Sequence, residues 1–267
     1  MSTRIITGVL GTLLLIAVLA LGTPFFEIAV CILAVLAVYE LFRTVNLTGN
    51  KIIFVSGIVA SAVFITVQTF FNQLLYPLIF MYIAILFIIY MKFRSFTELK
   101  DIAESFFLIA YAVFFFSHLN LIYSSKNGNL LIWMVFICAF ATDTFAMFGG
   151  KFFGKHKLCP VLSPKKTVEG SISGILGCIL CVLIYCYICK AFFYLVPNYL
   201  NAVIVSLFAS VISQIGDLSA SCIKRQYGIK DYGNLFPGHG GVMDRFDSIL
   251  FTAPFVYYIM IILPIIN

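Results

Sequence analysis

The densest group of chemically capable side chains lies between Ser221 and Asp247, where acids, bases and glycines follow one another closely. Asp244 and Asp247 are three residues apart and would share one face of a helix. Asp217, from the segment before, can add a third carboxylate. Hard oxygen ligands of this kind suit Mg²⁺ that also binds substrate phosphates. We therefore predict a divalent metal ion held by Asp217, Asp244 and Asp247.

Basic residues surround these carboxylates and match the needs of a polyphosphate substrate. Arginine offers a fork to phosphate oxygens and lysine a point charge. The basic residues are Lys224, Arg225, Lys230 and Arg245. Carboxylates with a metal and nearby bases are the usual arrangement for phosphoryl-type transfer. The alternative is a solvated charged loop between two membrane spans, which so dense a mixture of Gly, His, Lys and Asp disfavours.

Three glycines flank His239 in the same stretch: Gly238, Gly240 and Gly241. Backbone without a side chain can approach a ligand closely. A helix is expected to begin near Gly241 or Val242, and its first amides would form an anion site. A phosphate monoester is already ionised near neutral pH, with a second pKa of about 6. For His239 we therefore favour a phosphate contact or a loop-shaping role over general-base catalysis.

A second polar stretch, residues 149–170, carries the adjacent lysines Lys165 and Lys166. We predict a further phosphate-binding strip there, although a simple bias of basic residues toward one side of the membrane would also explain them. Glu169 would orient one of these lysines or cap the next helix. Asp143 lies within an apolar segment, where a carboxylate normally faces a cavity, a partner or an ion. It is a candidate metal ligand, or it pairs with a base to hold helices together.

The elements that position these groups must lie in a membrane. Apolar residues make up 62% of the 267 residues and charged residues 10%, against about 25% charge in soluble domains. A spanning helix needs roughly 20 mostly apolar residues. We predict an all-α, polytopic integral membrane protein with about nine transmembrane helices. The apolar segments are 5–22, 25–42, 52–70, 74–91, 102–122, 130–148, 171–194, 199–219 and 248–266.

Nine spans place the two termini on opposite sides, and basic residues indicate which side is cytoplasmic. With the N-terminus inside, Arg4 and all other basic residues except Lys126 and Lys190 face the cytoplasm. The long polar loops 149–170 and 220–247 then also face the cytoplasm. The net charge of +6 reflects this bias, so no nucleic-acid partner is expected.

The two halves of the chain differ in their chemistry. We expect residues 1–125 to form a transmembrane scaffold that faces lipid and a partner subunit, and residues 126–267 to form the catalytic region. The first 100 residues contain acids only near predicted span ends, where they would be interfacial. These acids are Glu27, Glu40 and Glu98.

Four cysteines of the seventh segment form two C-x-x-C pairs, Cys178 with Cys181 and Cys186 with Cys189. On a helix they would span about 16 Å, at 1.5 Å per residue. One metal with bonds of about 2.3 Å to sulfur cannot contact all four. We interpret them as small packing residues.

The stretch from Ser221 to Asp247 closely resembles the signature of the phosphatidate cytidylyltransferases, also called CDP-diacylglycerol synthases. That signature reads S-x-apolar-K-R, four residues, K-D, then P-x-H-G-G-apolar-x-D-R-x-D, and all its fixed positions are present. They are Ser221, Lys224, Arg225, Lys230, Asp231, Pro237, His239, Gly240, Gly241, Asp244, Arg245 and Asp247. The region of Asp143 and the S-P-K-K-T-x-E-G stretch from Ser163 to Gly170 also resemble the family.

The resemblance implies that CTP and phosphatidate give CDP-diacylglycerol and pyrophosphate for phospholipid biosynthesis. It also implies a homodimer in the cell membrane that depends on Mg²⁺ and takes a second cation such as K⁺. The lipid would enter from the inner leaflet, and its phosphate would attack the α-phosphorus of CTP. Phosphates would be bound by Lys224, Arg225, Lys230 and Arg245, with help from Lys165 and Lys166. Ser221 and Asp231 would support them.

Two other readings stay open at this point. One is a related CTP-dependent lipid enzyme, a polyprenol kinase or an archaeal-lipid cytidylyltransferase, whose chemistry needs many of the same groups. The other is a transporter with intramembrane carboxylates. Transporter sites lie near the midplane between paired repeats, whereas the polar groups here cluster toward one face.

Overall fold

The computed structural model describes residues 2–265, with side chains for all of these except residues 2–5 and Asn72. Within this range the regular structure is helical apart from one short hairpin, turns and loops join the elements, and the predicted all-α fold class is confirmed. Arg4 and the last residue of the predicted segment 248–266 lie outside the described side chains.

The helices are α1 Ser2–Leu21, α2 Thr23–Thr44, α3 Lys51–Phe70, α4 Leu75–Lys92, α5 Leu99–Ile109, α6 Phe115–Tyr123, α7 Gly128–Phe153, α8 Val168–Phe193, α9 Tyr199–Gln226 and α10 Met243–Ile262. The strands are β1 Lys157–Cys159 and β2 Ser163–Thr167.

Long apolar runs explain why these helices form. Eight helical segments of the described chain are long and apolar enough to cross a membrane, and the described part of α1, Ile6–Leu21, is a shorter apolar helix. One of the eight, Leu99–Tyr123, consists of α5 and α6 joined by a π-helical turn over Ala110–Phe114. The nine predicted segments therefore all correspond to helices.

Two helices run further than hydropathy predicted, because their polar ends continue beyond the apolar stretch. α7 reaches Phe153 instead of residue 148, and α9 reaches Gln226 instead of residue 219. Lys151 and Lys224 consequently lie on helices. The antiparallel hairpin of β1 and β2, which pairs Lys157 with Thr167, was not predicted.

The chain divides into two compact units. Unit 1 comprises Met1–Ser124 and Gln226–Arg245, and unit 2 comprises Ser125–Arg225 and Phe246–Asn267. In unit 1, α2 packs against α1, α3 and α6. Its buried stripe follows helical spacing and consists of Val30, Ala34, Ala37, Val38 and Leu41.

In unit 2, α7 and α8 pack closely through small residues, the usual solution for helices in lipid. A Cβ on Gly149 would clash with Ser173, and one on Gly177 would clash with Phe145. α9 is tied to α7 by a 2.8 Å hydrogen bond from Thr142 Oγ1 to Ser210 Oγ. The cysteines of α8 are free thiols, three of them buried, in agreement with a packing role.

Candidate active site

Unit 2 contains a polar cavity of about 400 Å³. Side chains from α7, α8, α9 and the hairpin line it. Two glycines in its wall, Gly150 and Gly170, allow α7 and α8 to approach each other there. The polar and charged residues of the lining are Asp143, Lys151, Lys165, Lys166, Thr167, Ser171, Gln214 and Asp217. A cavity with this lining suits an anionic substrate better than an apolar one.

Two residues of the cavity lining form an ion pair. Lys166 of β2 contacts Asp217 of α9, and each side chain is 26% exposed. Ser221 lies one turn further along α9, with its Oγ 3.5 Å from Asp217 Oδ1. Three of the predicted site residues are therefore brought together by the structure.

Asp247 of α10 belongs to the same unit and is half-buried. The charges of Asp217 and Asp143 repel its carboxylate, and that of Lys224 attracts it. Ser248 links the group further, because its backbone N–H donates to Asp247 Oδ1 (2.9 Å) and its Oγ lies 3.2 Å from Asp143 Oδ2. Helices α7, α9 and α10 thus each contribute one carboxylate to a shared electrostatic site.

Asp143 is exposed although it lies well inside the long apolar helix α7. A charged group at such a position needs water, a partner or an ion. Its place in the cavity lining provides access to water, and Ser248 provides a hydrogen bond. Asp143 therefore faces a cavity, as one of the two sequence-based alternatives expects, and its role as a metal ligand stays a prediction.

The donor set fits Mg²⁺ that is completed by substrate. Among the described side chains, no three His, Cys, Asp or Glu residues lie close enough together to hold a metal ion by themselves. Mg²⁺ in phosphate-handling enzymes usually takes one or two protein carboxylates and fills its remaining positions with substrate phosphates and water. Asp217 and Asp247 can supply the two carboxylates.

The hairpin and the start of α8 place two lysines at the cavity. Lys165 and Lys166 lie on β2, directly before the N-cap residue Thr167, whose Oγ1 accepts a 3.1 Å hydrogen bond from Gly170 N. Thr167 and not Glu169 therefore caps the helix. Glu169 accepts instead from His156 Nδ1 (2.6 Å) and from the backbone N–H groups of Lys155 and His156, so its contacts match neither expected role, orienting Lys165 or Lys166 or capping α8.

Asp244 has a different environment, within unit 1. Its side chain is 8% exposed, and its Oδ2 accepts hydrogen bonds from the backbone N–H groups of Tyr232 (2.7 Å) and Gly241 (2.9 Å). This carboxylate holds the loop before α10 in shape. The convergence of Asp244 with Asp217 and Asp247 on one metal ion stays a prediction.

Glu40 of α2 was not among the site residues predicted from the sequence. It is 5% exposed, and its two oxygens accept from the backbone N–H groups of Val242 and Met243, each at 2.9 Å. Glu40 is therefore buried within unit 1 near the C-terminal end of α2, and its expected place at the membrane interface stays a prediction. The first amides of α10 do form an anion site, as predicted, but its ligand is a carboxylate of the protein. Glu40 and Val242 are 202 residues apart in sequence, and no local pattern links them.

The loop of Gly238, His239 and Gly240 forms a tight turn. Gly238 and Gly240 have φ values of 77° and 86°, which favour glycine. Phe236 N donates to Gly240 O (2.9 Å), and Arg245 Nε donates to His239 O (2.8 Å). Nδ1 of His239 is buried and makes no hydrogen bond within the described part of the chain. These contacts support the loop-shaping role for His239.

Two predicted close approaches of backbone to substrate have another explanation. A Cβ on Gly240 would collide with Asp244, and one on Gly241 would collide with Glu40. The absence of side chains at these positions therefore makes room for the protein's own carboxylates.

The remaining predicted phosphate-binding residues lie at the surfaces of their own units. In unit 2, Arg225 is exposed, and its Nε lies 3.5 Å from Leu162 O of the hairpin. In unit 1, Lys230, Asp231 and Arg245 are exposed. Arg225 is not among the residues that line the cavity of unit 2.

Comparison with known proteins gives the family directly. Residues 2–263 match the cytidylyltransferase family. The chain is 31% identical over 268 residues to the phosphatidate cytidylyltransferase of Bacillus subtilis (strain 168), covering 97% of both chains. It is 33% identical over 271 residues to that of Staphylococcus aureus (strain COL), covering 98% of this chain and 99% of the other. The corresponding enzyme of Rickettsia bellii (strain RML369-C) is 43% identical over 143 residues, 52% of this chain and 62% of that one. The chain belongs to the cytidylyltransferase family.

Proposed function

We propose that this protein transfers a cytidylyl group from CTP to phosphatidate, giving CDP-diacylglycerol and pyrophosphate for phospholipid biosynthesis. The observation that carries this proposal is the cavity in unit 2, where Lys165 and Lys166 lie beside Asp143 and Asp217 in a membrane protein of this family. Near full-length similarity to enzymes named phosphatidate cytidylyltransferase supports the choice of substrates.

The reaction needs positioning and charge compensation more than proton transfer. A phosphate oxygen of phosphatidate, already ionised near neutral pH, forms a bond to the α-phosphorus of CTP. The bond from that phosphorus to the oxygen bridging to the β-phosphate breaks, and pyrophosphate leaves with the electron pair. Lys165 and Lys166 bind the charged oxygens and offset the charge that develops on them. Lys224 contributes beside Asp247, and Arg225, Lys230 and Arg245 are further phosphate ligands.

Mg²⁺ would supply Lewis-acid stabilisation of the phosphate oxygens when bound. Asp217 and Asp247 would hold it, with Asp244 as the third predicted ligand and Asp143 as a further candidate. Ser221 would orient Asp217 through the contact between their side chains. The resemblance to the family extends the proposal to a second cation such as K⁺.

We also propose that the active site faces the cytoplasm and that the enzyme works as a homodimer surrounded by membrane lipids. The distribution of basic residues supports the orientation, since all but Lys126 and Lys190 fall on the proposed inner side. Phosphatidate would then enter from the inner leaflet, and CTP would enter from water. Cysteine accessibility in sealed vesicles tests the orientation, because the exposed Cys222 should react only with reagent on the cytoplasmic side.

The deciding experiment uses purified protein with phosphatidate, Mg²⁺ and CTP labelled at either the α- or the γ-phosphorus. Transfer of a cytidylyl group moves the α label to the lipid and leaves the γ label in pyrophosphate. A lipid kinase would move the γ label instead, and that result would reject the proposal. Polyprenol phosphate and archaeal-type lipid acceptors serve as comparison substrates.

A chelator provides the second arm of the experiment. With excess chelator we expect turnover to stop and to return when Mg²⁺ is added. A transporter would give solute flux in liposomes without nucleotide turnover, so absence of any lipid product together with such flux would also reject the proposal.

A further inference from the structure

Glu40 is the most buried acid of unit 1. Its carboxylate is 5% exposed and accepts one hydrogen bond on each oxygen, from Val242 N and Met243 N at 2.9 Å. Burial of a charged group in this way is costly unless partners replace water. Here the partners are the first amides of α10, whose helix dipole also favours a negative charge.

The surrounding backbone is adapted to this carboxylate. Positions 233 and 241 are both glycine, and a Cβ at either would clash with the Glu40 side chain. A larger residue at Gly241 would force Glu40 or the start of α10 to move. The lack of side chains at Gly233 and Gly241 therefore makes room for the Glu40 carboxylate.

The segment that Glu40 holds leads directly into the predicted metal ligands. Asp244 follows Met243 in the chain, and Asp247 lies four residues after Met243, about 6 Å along the helix axis at 1.5 Å per residue. A change in the direction or register of this first turn would displace both carboxylates. Misplacement by about 1 Å can cost an enzyme about 100-fold in rate.

We propose that Glu40 is a positioning residue of the active site: from the N-terminal half of the chain, its carboxylate fixes the first turn of α10 and thereby the place of Asp247. It contacts neither substrate nor metal in this proposal. The inference rests on the proposed function for its kinetic consequence, but its structural half can be tested without any activity.

The test compares Glu40→Gln and Glu40→Asp with the wild-type enzyme. Glu40→Gln removes the charge and replaces one acceptor by a donor that faces a backbone N–H. Glu40→Asp keeps the charge but shortens its reach by one methylene. The matched control is Glu27→Gln, the same change in the same helix, where the carboxylate has a 3.3 Å contact with Ser124 Oγ.

Two measurements are made on each purified variant. Hydrogen–deuterium exchange followed by mass spectrometry reports on the amides of residues 241–246, and steady-state kinetics separates kcat from the KM for CTP. For Glu40→Gln we expect exchange at Val242 and Met243 to be at least about 10-fold faster, because the charge is lost and one of the two acceptor oxygens becomes an amide donor. We expect kcat to fall about 10- to 100-fold with a KM for CTP within about 2-fold of wild type, because Lys165 and Lys166 are untouched. Glu40→Asp should show the same pattern with a smaller loss, and Glu27→Gln should match wild type.

The outcomes separate this proposal from the proposed function. If Glu40→Gln does not fold, Glu40→Asp decides by the same two measurements. Unchanged exchange at 241–246, or a kcat equal to that of wild type, would overturn the positioning role, and so would an equal loss in the Glu27→Gln control. If the wild-type protein itself transfers no cytidylyl group, the proposed function fails, while the exchange measurement still decides whether Glu40 fixes the start of α10.

Discussion

The carboxylates of the two units are similar in type and opposite in environment. In unit 1, Glu40 and Asp244 are buried and accept hydrogen bonds from backbone N–H groups. In unit 2, Asp143 and Asp217 line a cavity, and their neighbours are a lysine, a serine and another carboxylate. Acids bound by backbone amides stabilise a conformation, whereas acids held beside lysines in a cavity remain available to a ligand.

Two acids of the same sequence motif, Asp244 and Asp247, therefore have different environments. Asp244 and Asp247 are three residues apart on one helix, yet Asp244 holds the preceding loop and Asp247 shares the electrostatic site of Asp217 and Asp143. Removing a carboxylate from unit 2 should therefore affect activity more than stability. Removing Glu40 or Asp244 from unit 1 should affect stability as well.

The largest effect is expected for Asp217→Asn. The change removes one proposed metal ligand and the partner of Lys166, so we expect kcat/KM to fall about 1,000-fold while the thermal unfolding midpoint stays close to that of wild type. Turnover with labelled CTP and thermal unfolding in detergent measure the two quantities. Asp101→Asn, a change to a helix-capping acid of unit 1, is the control and should keep its activity. Wild-type turnover in Asp217→Asn would remove the metal assignment.

Lys166→Met should have the next largest effect. Lys166 neutralises Asp217, whereas Lys165 lines the cavity as an exposed side chain. We expect kcat/KM to fall about 100-fold in Lys166→Met. In Lys165→Met we expect a fall of about 10-fold, mainly through a higher KM for CTP. Steady-state kinetics with varied CTP distinguishes the two variants. Equal losses in both would mean that the ion pair has no special part in catalysis.

Two variants of Asp244 test the contrast within the motif. Asp244→Ala leaves the buried N–H groups of Tyr232 and Gly241 without their acceptor and should lower the free energy of unfolding by about 2 kcal/mol. Asp244→Asn keeps an acceptor oxygen, so it should lose less stability. As a proposed metal ligand it should nevertheless lose turnover. Thermal unfolding and turnover are measured on the same samples, and full turnover in a folded Asp244→Asn would restrict Asp244 to its structural role.

Hydropathy was sufficient to predict most of the fold. The nine apolar segments were all found because a helix in lipid must be apolar over its whole length. Helix ends were predicted less well, since the polar last turns of α7 and α9 carry no hydropathy signal. The β1–β2 hairpin was missed because its strands are short and its β2 sequence, S-P-K-K-T, lacks the alternation of apolar and polar residues that indicates a strand.

The proximity of some candidate site residues could be predicted where they are close in sequence. Asp217, Ser221 and Asp247 come from one stretch of sequence, and the structure places them together with Lys166 or Asp143 of unit 2. Glu40 could not be found in this way. Its partners are backbone amides, which every residue has, and they lie about 200 residues away in sequence. Long-range bonds between a side chain and the backbone leave no pattern of residue types.

The smallest effect concerns Glu104 of unit 1 and its partner Tyr227. Tyr227 Oη donates a 2.9 Å hydrogen bond to Glu104 Oε1, and burial together with this bond raises the pKa of Tyr227 to about 12. An unfolded tyrosine has a pKa of about 10, so the unfolded chain loses this proton first as the pH rises. The stabilisation is therefore complete below about pH 10 and is lost between about pH 10 and 12.

Tyr227→Phe removes that contribution without placing a new charge. We expect its unfolding midpoint to lie slightly below that of wild type at about pH 9 and to approach the wild-type value at about pH 11.5, because wild type loses the bond there. The exposed Tyr76, changed to Phe, is the control and should show no such convergence. Turnover near neutral pH should be unchanged in Tyr227→Phe if the acids of unit 1 other than Glu40 and Asp244 serve only the scaffold. A loss of turnover without a loss of stability would extend the functional site to Glu104, and the division between the two units would then have to be redrawn.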